Sequence, residues 1–200
     1  MLTIADAVEA LAGTRPATAT VITEAVIDSR HVIPGSLFVA IPGEKADGHD
    51  FIDEAFKRGA SFALTQKDAD ASFRTFDLRA ATPASVAAQE YSVPLCLRVE
   101  NTVTALQQIA RFWRRKLNLR VIGVTGSVGK STTKEMIAEV LATRFRTLKS
   151  PGNLNNEIGL PLTLLQLRPE TERAVIEMGI YTTGEIAQLC TLSQPRTGVV

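Results

Sequence analysis

The sequence predicts an α/β fold: a small N-terminal α/β domain over residues 1–100, followed over residues 101–200 by part of a parallel-sheet domain built around a phosphate-binding loop. Three observations predict it. Short apolar runs such as SFALT, LRVIGVTG and ERAVIEMG alternate with stretches at helical spacing, the grammar of a parallel sheet with crossover helices. A glycine-rich turn, Gly126 to Thr132, directly follows one of those runs and opens a helix. The chain of 200 residues is 45% hydrophobic and 22% charged, the balance of a globular protein, which excludes disorder, collagen and coiled-coil arrays.

Taken in order, Ile4–Leu11 reads as a helix, followed by β-rich stretches TATVITEAVIDSR and SLFVAIPG separated by a Pro34-Gly35 turn. A helix over Phe51–Arg58, ended by Gly59, leads into the strand SFALT. Residues 66–94 show no clear period and read either as an extension of the first domain or as a loop insertion, after which LCLRVEN closes the domain. From Asn101 the residues Val103, Leu106, Ala110, Trp113 and Leu117 recur at helical spacing, with Trp113 a core anchor. Arg111, Arg114, Arg115 and Lys116 take the remaining, solvated face. Then come the strand LRVIGVTG and a helix Lys130–Phe145 with Met136, Ile137, Val140, Leu141 and Phe145 inward. The turn SPGNLNNEIG, a helix over LPLTLLQL, the strand ERAVIEMG, a helix near Gly184–Leu189 and the strand TGVV follow. An apolar strand at the end, with nothing after it to cover the sheet, reads as a domain cut before its natural end.

Charge is unevenly placed. Residues 101–150 hold 10 Lys/Arg against 2 Asp/Glu, while residues 1–100 hold 9 against 14. The basic block coincides with the glycine-rich turn and lacks aromatic interleaving beyond Phe112 and Trp113, so nucleotide phosphates explain it and nucleic acid is not expected. No apolar run approaches the ~18 residues of a membrane span, and the acidic, amphipathic N-terminus lacks the features of a signal peptide. A cytoplasmic, monomeric protein is expected. Cys96 and Cys190 lie in apolar stretches without metal spacing and read as reduced core thiols.

The chemistry concentrates in Gly126-Ser127-Val128-Gly129-Lys130-Ser131-Thr132. Glycines let successive N–H groups point at phosphate oxygens, the helix start adds positive potential, Lys130 reaches the β/γ-phosphates and the Ser131 hydroxyl can bind Mg²⁺. Val124 stands where the generic pattern has its first glycine. Glu177 ends the run Ala174-Val175-Ile176, which places it at the carboxyl end of a buried strand as a candidate magnesium ligand, although alone it would more often be a surface carboxylate. Asn153, Asn155 and Asn156 are either turn formers or amides that grip a polar substrate. Asp28-Ser29-Arg30 ends a strand and reads most simply as a turn, Lys45 lies in an exposed loop, and His31 and His49 have solvent or packing roles. These residues alone reach an ATP- or GTP-using α/β protein with a small companion domain.

The phrases VIDSRHVIPGSLFVAIPGEKADGHDFIDEAFKRGA, GVTGSVGKSTTKEM, SPGNLNNEIGLPLTLL and AVIEMG, in that order, resemble the Mur ligases of peptidoglycan synthesis, and within them the branch that adds D-alanyl-D-alanine. The altered loop is itself family-like, since that family uses a TGxxGK[ST] form. The resemblance implies ATP and Mg²⁺, with Thr125 through Thr132 cradling ATP and Ser131 and Glu177 holding the metal. It implies UDP-N-acetylmuramoyl-tripeptide near Ser29 and Arg30 with Lys45 as a phosphate partner, and Asn153 to Asn156 facing the muramoyl-peptide. D-alanyl-D-alanine would be the second substrate, joined through an acyl phosphate, with Lys130 and Glu177 the catalytic pair. A later histidine, a modified lysine, the adenine and ribose contacts and a C-terminal domain would follow residue 200, so the fragment alone is expected to be inactive. The alternatives are the sister ligase adding the third amino acid, a folylpolyglutamate synthase, which the DSR and NNEIG phrases oppose, and a non-catalytic nucleotide-binding module.

Overall fold

Thr3 starts the first helix, α1 (Ile4–Ala12), through a capping box: its hydroxyl accepts the Asp6 N–H while the Asp6 carboxylate accepts the Thr3 N–H. The computed structural model describes residues 1–43 and 46–200. It divides into two units, Met1–Ile109 and Ala110–Val200.

The first unit contains five strands, β1 (Ala25–Val26), β2 (Leu37–Val39), β3 (Phe62–Thr65), β4 (Thr75–Asp77) and β5 (Leu95–Arg98), in the order β1-β2-β3-β5-β4 with every pairing parallel. Parallel neighbours need crossovers, which α2 (Ile52–Lys57) supplies between β2 and β3 and α3 (Pro83–Ala88) between β4 and β5. Phe38, Ala63 and Cys96 form a core with Ile52 and Ala55 of α2.

Three expectations change here. The β-rich stretch before residue 30 shrinks to β1, because Thr20 and Ile22 bond instead to Ile4 and Leu2 beside α1. Asp28-Ser29-Arg30 is a turn, as its simplest reading had it, but lies just beyond β1: the Asp28 side chain accepts the Arg30 N–H and residues 29–31 form a 3-10 turn. The segment 66–94 is an extension of the unit, supplying the edge strand β4 and α3, whose Thr82 and Ser85 form a capping box ahead of Pro83 at the first helical position. It follows that β5, last in sequence, lies inside the sheet rather than at its edge.

Helix α4 (Thr102–Lys116) leads the chain from the first unit into the second. Trp113 is a core anchor, its indole donating to the Leu167 carbonyl at 3.0 Å. Arg114 departs from the solvated face on which it was expected. It is 7% exposed and donates to the carbonyls of Ser193, Leu117 and Leu119, where burial pushes its pKa down. A guanidinium at a helix C-terminus is suited to this, having several donors for carbonyls that the helix leaves open.

The second unit contains β6 (Arg120–Val124), α5 (Lys130–Ala142), β7 (Thr147–Lys149), α6 (Gly159–Leu165), β8 (Arg173–Glu177), α7 (Glu185–Ser193) and β9 (Thr197–Val199). Its strands run β7-β8-β6-β9, again all parallel. The short edge strand β7 lay unmarked in the sequence. On α5, Met136 and Val140 point outward, 66% and 71% exposed, contrary to expectation. Ile137 and Leu141 do pack inward as expected, on Val124 and Val175 together with Ala138, and the buried Lys134 extends that face at the spacing i, i+3, i+4, i+7. Counting only apolar residues misses Lys134 and widens the expected face to include Met136 and Val140.

Candidate functional site

The strand order puts β6 beside β8, and the chain leaves β6 for the far edge before returning, so their carboxyl ends flank a topological switch point. Val124 and Glu177 are register partners there. The glycine-rich loop therefore departs beside the Glu177 carboxylate.

Gly126 (φ 132°) and Gly129 (φ 82°) supply the left-handed backbone that curls the loop. No side chain caps α5, so its first N–H groups face the loop with the positive end of the helix behind them. Ser127, Val128, Ser131 and Thr132 are exposed on this rim, and the Lys130 ammonium folds across the loop to donate to the Gly126 carbonyl at 2.7 Å. Thr125 plays another part than the cradle it was grouped with. Its hydroxyl donates to the Met178 carbonyl at 3.0 Å and its N–H to Val199, which ties the loop to the sheet.

Glu177 is 2% exposed at the end of a buried strand, as its place after Ala174-Val175-Ile176 predicts, and not the surface carboxylate it would more often be alone. Its N–H donates to Ser150 Oγ, and its Oε1 accepts from Asn155 Nδ2 at 2.9 Å. Its Oε2 is buried without a hydrogen bond and faces Lys134 Nζ at 3.5 Å. An orphaned, buried carboxylate oxygen beside a phosphate loop fits a hard divalent cation, which takes one or two carboxylates beside phosphate oxygens. Among the described residues no group of three or more His, Cys, Asp and Glu gathers, so Glu177 would act without a cluster.

The three asparagines separate. Asn155 positions Glu177, and its carbonyl accepts the Gly179 N–H at 2.7 Å. Asn156 is a turn former, its Oδ1 accepting the N–H groups of Ile158 and Gly159 at the entry to α6. Asn153 is exposed.

In the first unit an open cleft of about 660 Å³ is lined by Ile27, Asp28, Ser29, Arg30, Phe51 and Glu54 among others. Ser29 is buried and donates to Glu54 Oε2 at 2.9 Å. Arg30 forks onto Asp28 through Nε and Nη2, and that guanidinium holds the Asp28 carboxyl well below the usual carboxylate range. The Glu54 carboxyl is likewise lowered, chiefly by the Ser29 hydroxyl and then by Arg58. Lys45 lies outside the described residues. His49 has a packing role, donating from Nδ1 to Asp47 at 2.5 Å and accepting the Gln66 N–H at Nε2.

Residues 21–114 match the model described as Mur ligase family, catalytic domain, and residues 124–200 match the Mur ligase middle domain. The chain belongs to the Mur ligase family. It is 41% identical over 181 residues to the UDP-N-acetylmuramoyl-tripeptide–D-alanyl-D-alanine ligase of Bacillus subtilis, covering 90% of this chain and 36% of that protein. With the ligase of the same name from Escherichia coli it shares 39% over 173 residues, 86% of this chain and 34% of the relative. A crystal structure of MurF from Acinetobacter baumannii superposes with a TM-score of 0.76 at 32% identity, covering 97% of this chain and 39% of that one. MurF ligase from Thermotoga maritima, solved in complex with ADP, gives a TM-score of 0.68 at 34% identity, covering 86% and 35%. The chain thus spans about a third of the length of the curated relatives it matches.

Sequence reasoning passed over Lys134. The available signal was its position four residues after Lys130, one turn along the same helix and on the face that meets the sheet.

Proposed function

We propose that this chain supplies the nucleotide-phosphate loop and the uridine-nucleotide cleft of an ATP-dependent ligase that joins D-alanyl-D-alanine to UDP-N-acetylmuramoyl-tripeptide in the cytoplasm. The overall reaction is proposed for a protein of the relatives' length that contains this sequence. The observation that carries the reading is the register of Val124 with Glu177, which sets a carboxylate oxygen without a hydrogen bond beside a loop suited to phosphate. The ADP complex of the Thermotoga relative supports it.

Condensing a carboxylate with an ammonium is uphill in water, so the peptide's terminal carboxylate first needs a leaving group. One of its oxygens takes the γ-phosphoryl group of ATP, releasing ADP. The dipeptide amine then attacks the acyl carbon, loses a proton and expels phosphate. For the first step the N–H groups of residues 126–132 and the start of α5 orient the phosphates, and Lys130 exchanges the Gly126 carbonyl for a phosphate oxygen. Ser131 and Glu177 would hold Mg²⁺, which supplies positive charge against the phosphate oxygens when bound. Thr125 and Asn155 keep the loop and the carboxylate in place. Residues 1–100 would take the UDP end of the other substrate, where Arg30 can turn its fork from Asp28 to a phosphate and Ser29 lines the floor. Of the asparagines, only exposed Asn153 keeps a side chain suited to the muramoyl-peptide.

The test is phosphate release from ATP by the relative-length protein with both substrates. Release that requires both the tripeptide nucleotide and D-alanyl-D-alanine supports the assignment. Turnover with a free amino acid in place of the dipeptide would move it to the sister ligase.

A further inference from the structure

Lys134 is 2% exposed, and its ammonium lies 3.2 Å from the Gly152 carbonyl, 3.4 Å from Glu135 Oε1 and 3.5 Å from Glu177 Oε2. Each distance exceeds the ~2.7–2.9 Å of a tight charge-assisted bond. The cation is therefore shared among three acceptors on separate stretches of chain, and locked onto none. Glu135 is shared in turn, being paired with Lys149 as well as Lys134. Of the two Glu177 oxygens, Oε1 is engaged by Asn155 while Oε2 accepts no hydrogen bond. The oxygen that Lys134 faces is the one that accepts no hydrogen bond.

We propose that Lys134 is an internal counter-ion that competes with a divalent cation for Glu177 Oε2, and so sets how much Mg²⁺ nucleotide binding requires. The proposal rests on Glu177 being the magnesium carboxylate. A carboxylate withdrawn from water without a compensating charge is strongly disfavoured, and Lys134 supplies that charge without saturating the oxygen. A dication at the same oxygen works against a fixed positive charge a few ångströms away, in surroundings that screen far less than water. Lys134 is a positioning residue here: the Gly152 carbonyl and Glu135 remain its partners when Glu177 turns to the metal.

Two variants separate charge from shape. Lys134→Gln keeps a donor for Gly152 and removes the charge, whereas Lys134→Arg keeps the charge. Titrating Mg²⁺ into the chain with ADP, followed by calorimetry, should give a midpoint roughly tenfold lower in Lys134→Gln and near wild type in Lys134→Arg. Thermal unfolding should show Lys134→Gln destabilised without Mg²⁺ and recovering more than wild type with Mg²⁺ and ADP. A purely structural lysine would instead lower Tm equally in both conditions and leave the midpoint unmoved, which would overturn the proposal. Glu177→Gln distinguishes the underlying reading. If Mg²⁺ still aids ADP binding there as in wild type, Glu177 is not the metal carboxylate; if that aid is lost there while Lys134→Gln behaves as wild type, only the counter-ion role fails. Should Lys134→Gln not fold, acetylation of wild-type lysines resolved by mass spectrometry gives the answer, with Lys134 labelled several-fold faster in Mg²⁺ and ADP than in ADP alone. Equal labelling would overturn the proposal.

Discussion

If Lys130 serves the nucleotide phosphates as proposed, its loss should cost turnover and leave the fold alone. Among the described residues the Lys130 ammonium is hydrogen-bonded to the Gly126 carbonyl of its own loop, so Lys130→Ala should leave circular dichroism and Tm nearly unchanged. In the relative-length enzyme it should slow turnover by the equivalent of about 3 to 5 kcal/mol, the scale of a lost charge at a developing phosphoryl anion. A turnover within a factor of a few of wild type would remove Lys130 from the mechanism. The two cysteines offer an independent check on packing. Burial pushes the Cys96 thiol up to about 12, while Cys190 is only partly buried beside Met178. At pH 8, well below that value, Cys96 is protonated and enclosed, so iodoacetamide should label Cys190 alone in the native protein. Rapid labelling of Cys96, read by peptide mass spectrometry, would contradict the core of the first unit. What sequence made legible at this scale was the loop and the strand-end carboxylate, because both follow from chain-local pattern. Lys134, the role of Thr125 and the division of labour among Asn153, Asn155 and Asn156 were not legible, because each depends on which carbonyl or carboxylate arrives from elsewhere in the sheet.

Helix ends hold the second unit in register. Asn156 satisfies two N–H groups at the entry to α6, all of whose residues Gly159–Leu165 are buried. Asn156→Ala should therefore cost about 1 kcal/mol in urea unfolding, as loss of a cap does, without altering affinity for UDP-N-acetylmuramoyl-tripeptide. A matching loss of affinity would return Asn156 to the binding site. Arg114 is the stronger case, since three carbonyls depend on its guanidinium. Arg114→Met should destabilise by about 3 kcal/mol or more, whereas Arg115→Met on the exposed side of α4 should stay within about 0.5 kcal/mol. Equal effects would mean that the arginines form the solvated face that periodicity suggested. Elements with a clean period or a local cap, such as α1, α4 and β8, could be read in advance. The strands β4 and β7 could not, because TFD and TLK each hold a single apolar residue between polar ones, whereas the equally short edge strand β9 is marked by the run TGVV.

Across the whole molecule, two parallel sheets each end in a distinct polar site: a cleft with Ser29 and Arg30 in the first unit, and the loop with Glu177 in the second. The concentration of Lys and Arg in residues 101–150 suits the unit proposed to meet the triphosphate. If the cleft takes the uridine nucleotide, Arg30→Ala should weaken UDP-N-acetylmuramoyl-tripeptide binding about tenfold while leaving ADP binding unchanged, which paired calorimetric titrations can read. Uridine-nucleotide affinity indifferent to Arg30 would put that substrate elsewhere.

The claim on which the rest depends is that the loop between β6 and α5 binds nucleotide phosphates with Lys130 as its cation. Calorimetric titration of the chain with ADP in the presence of Mg²⁺, for wild type and for Lys130→Ala, tests it most directly. Wild type should bind ADP saturably, and the variant should lose affinity on the order of 100-fold with its fold intact. Indistinguishable affinities in the two proteins, or no ADP binding by a folded wild-type chain, would contradict it.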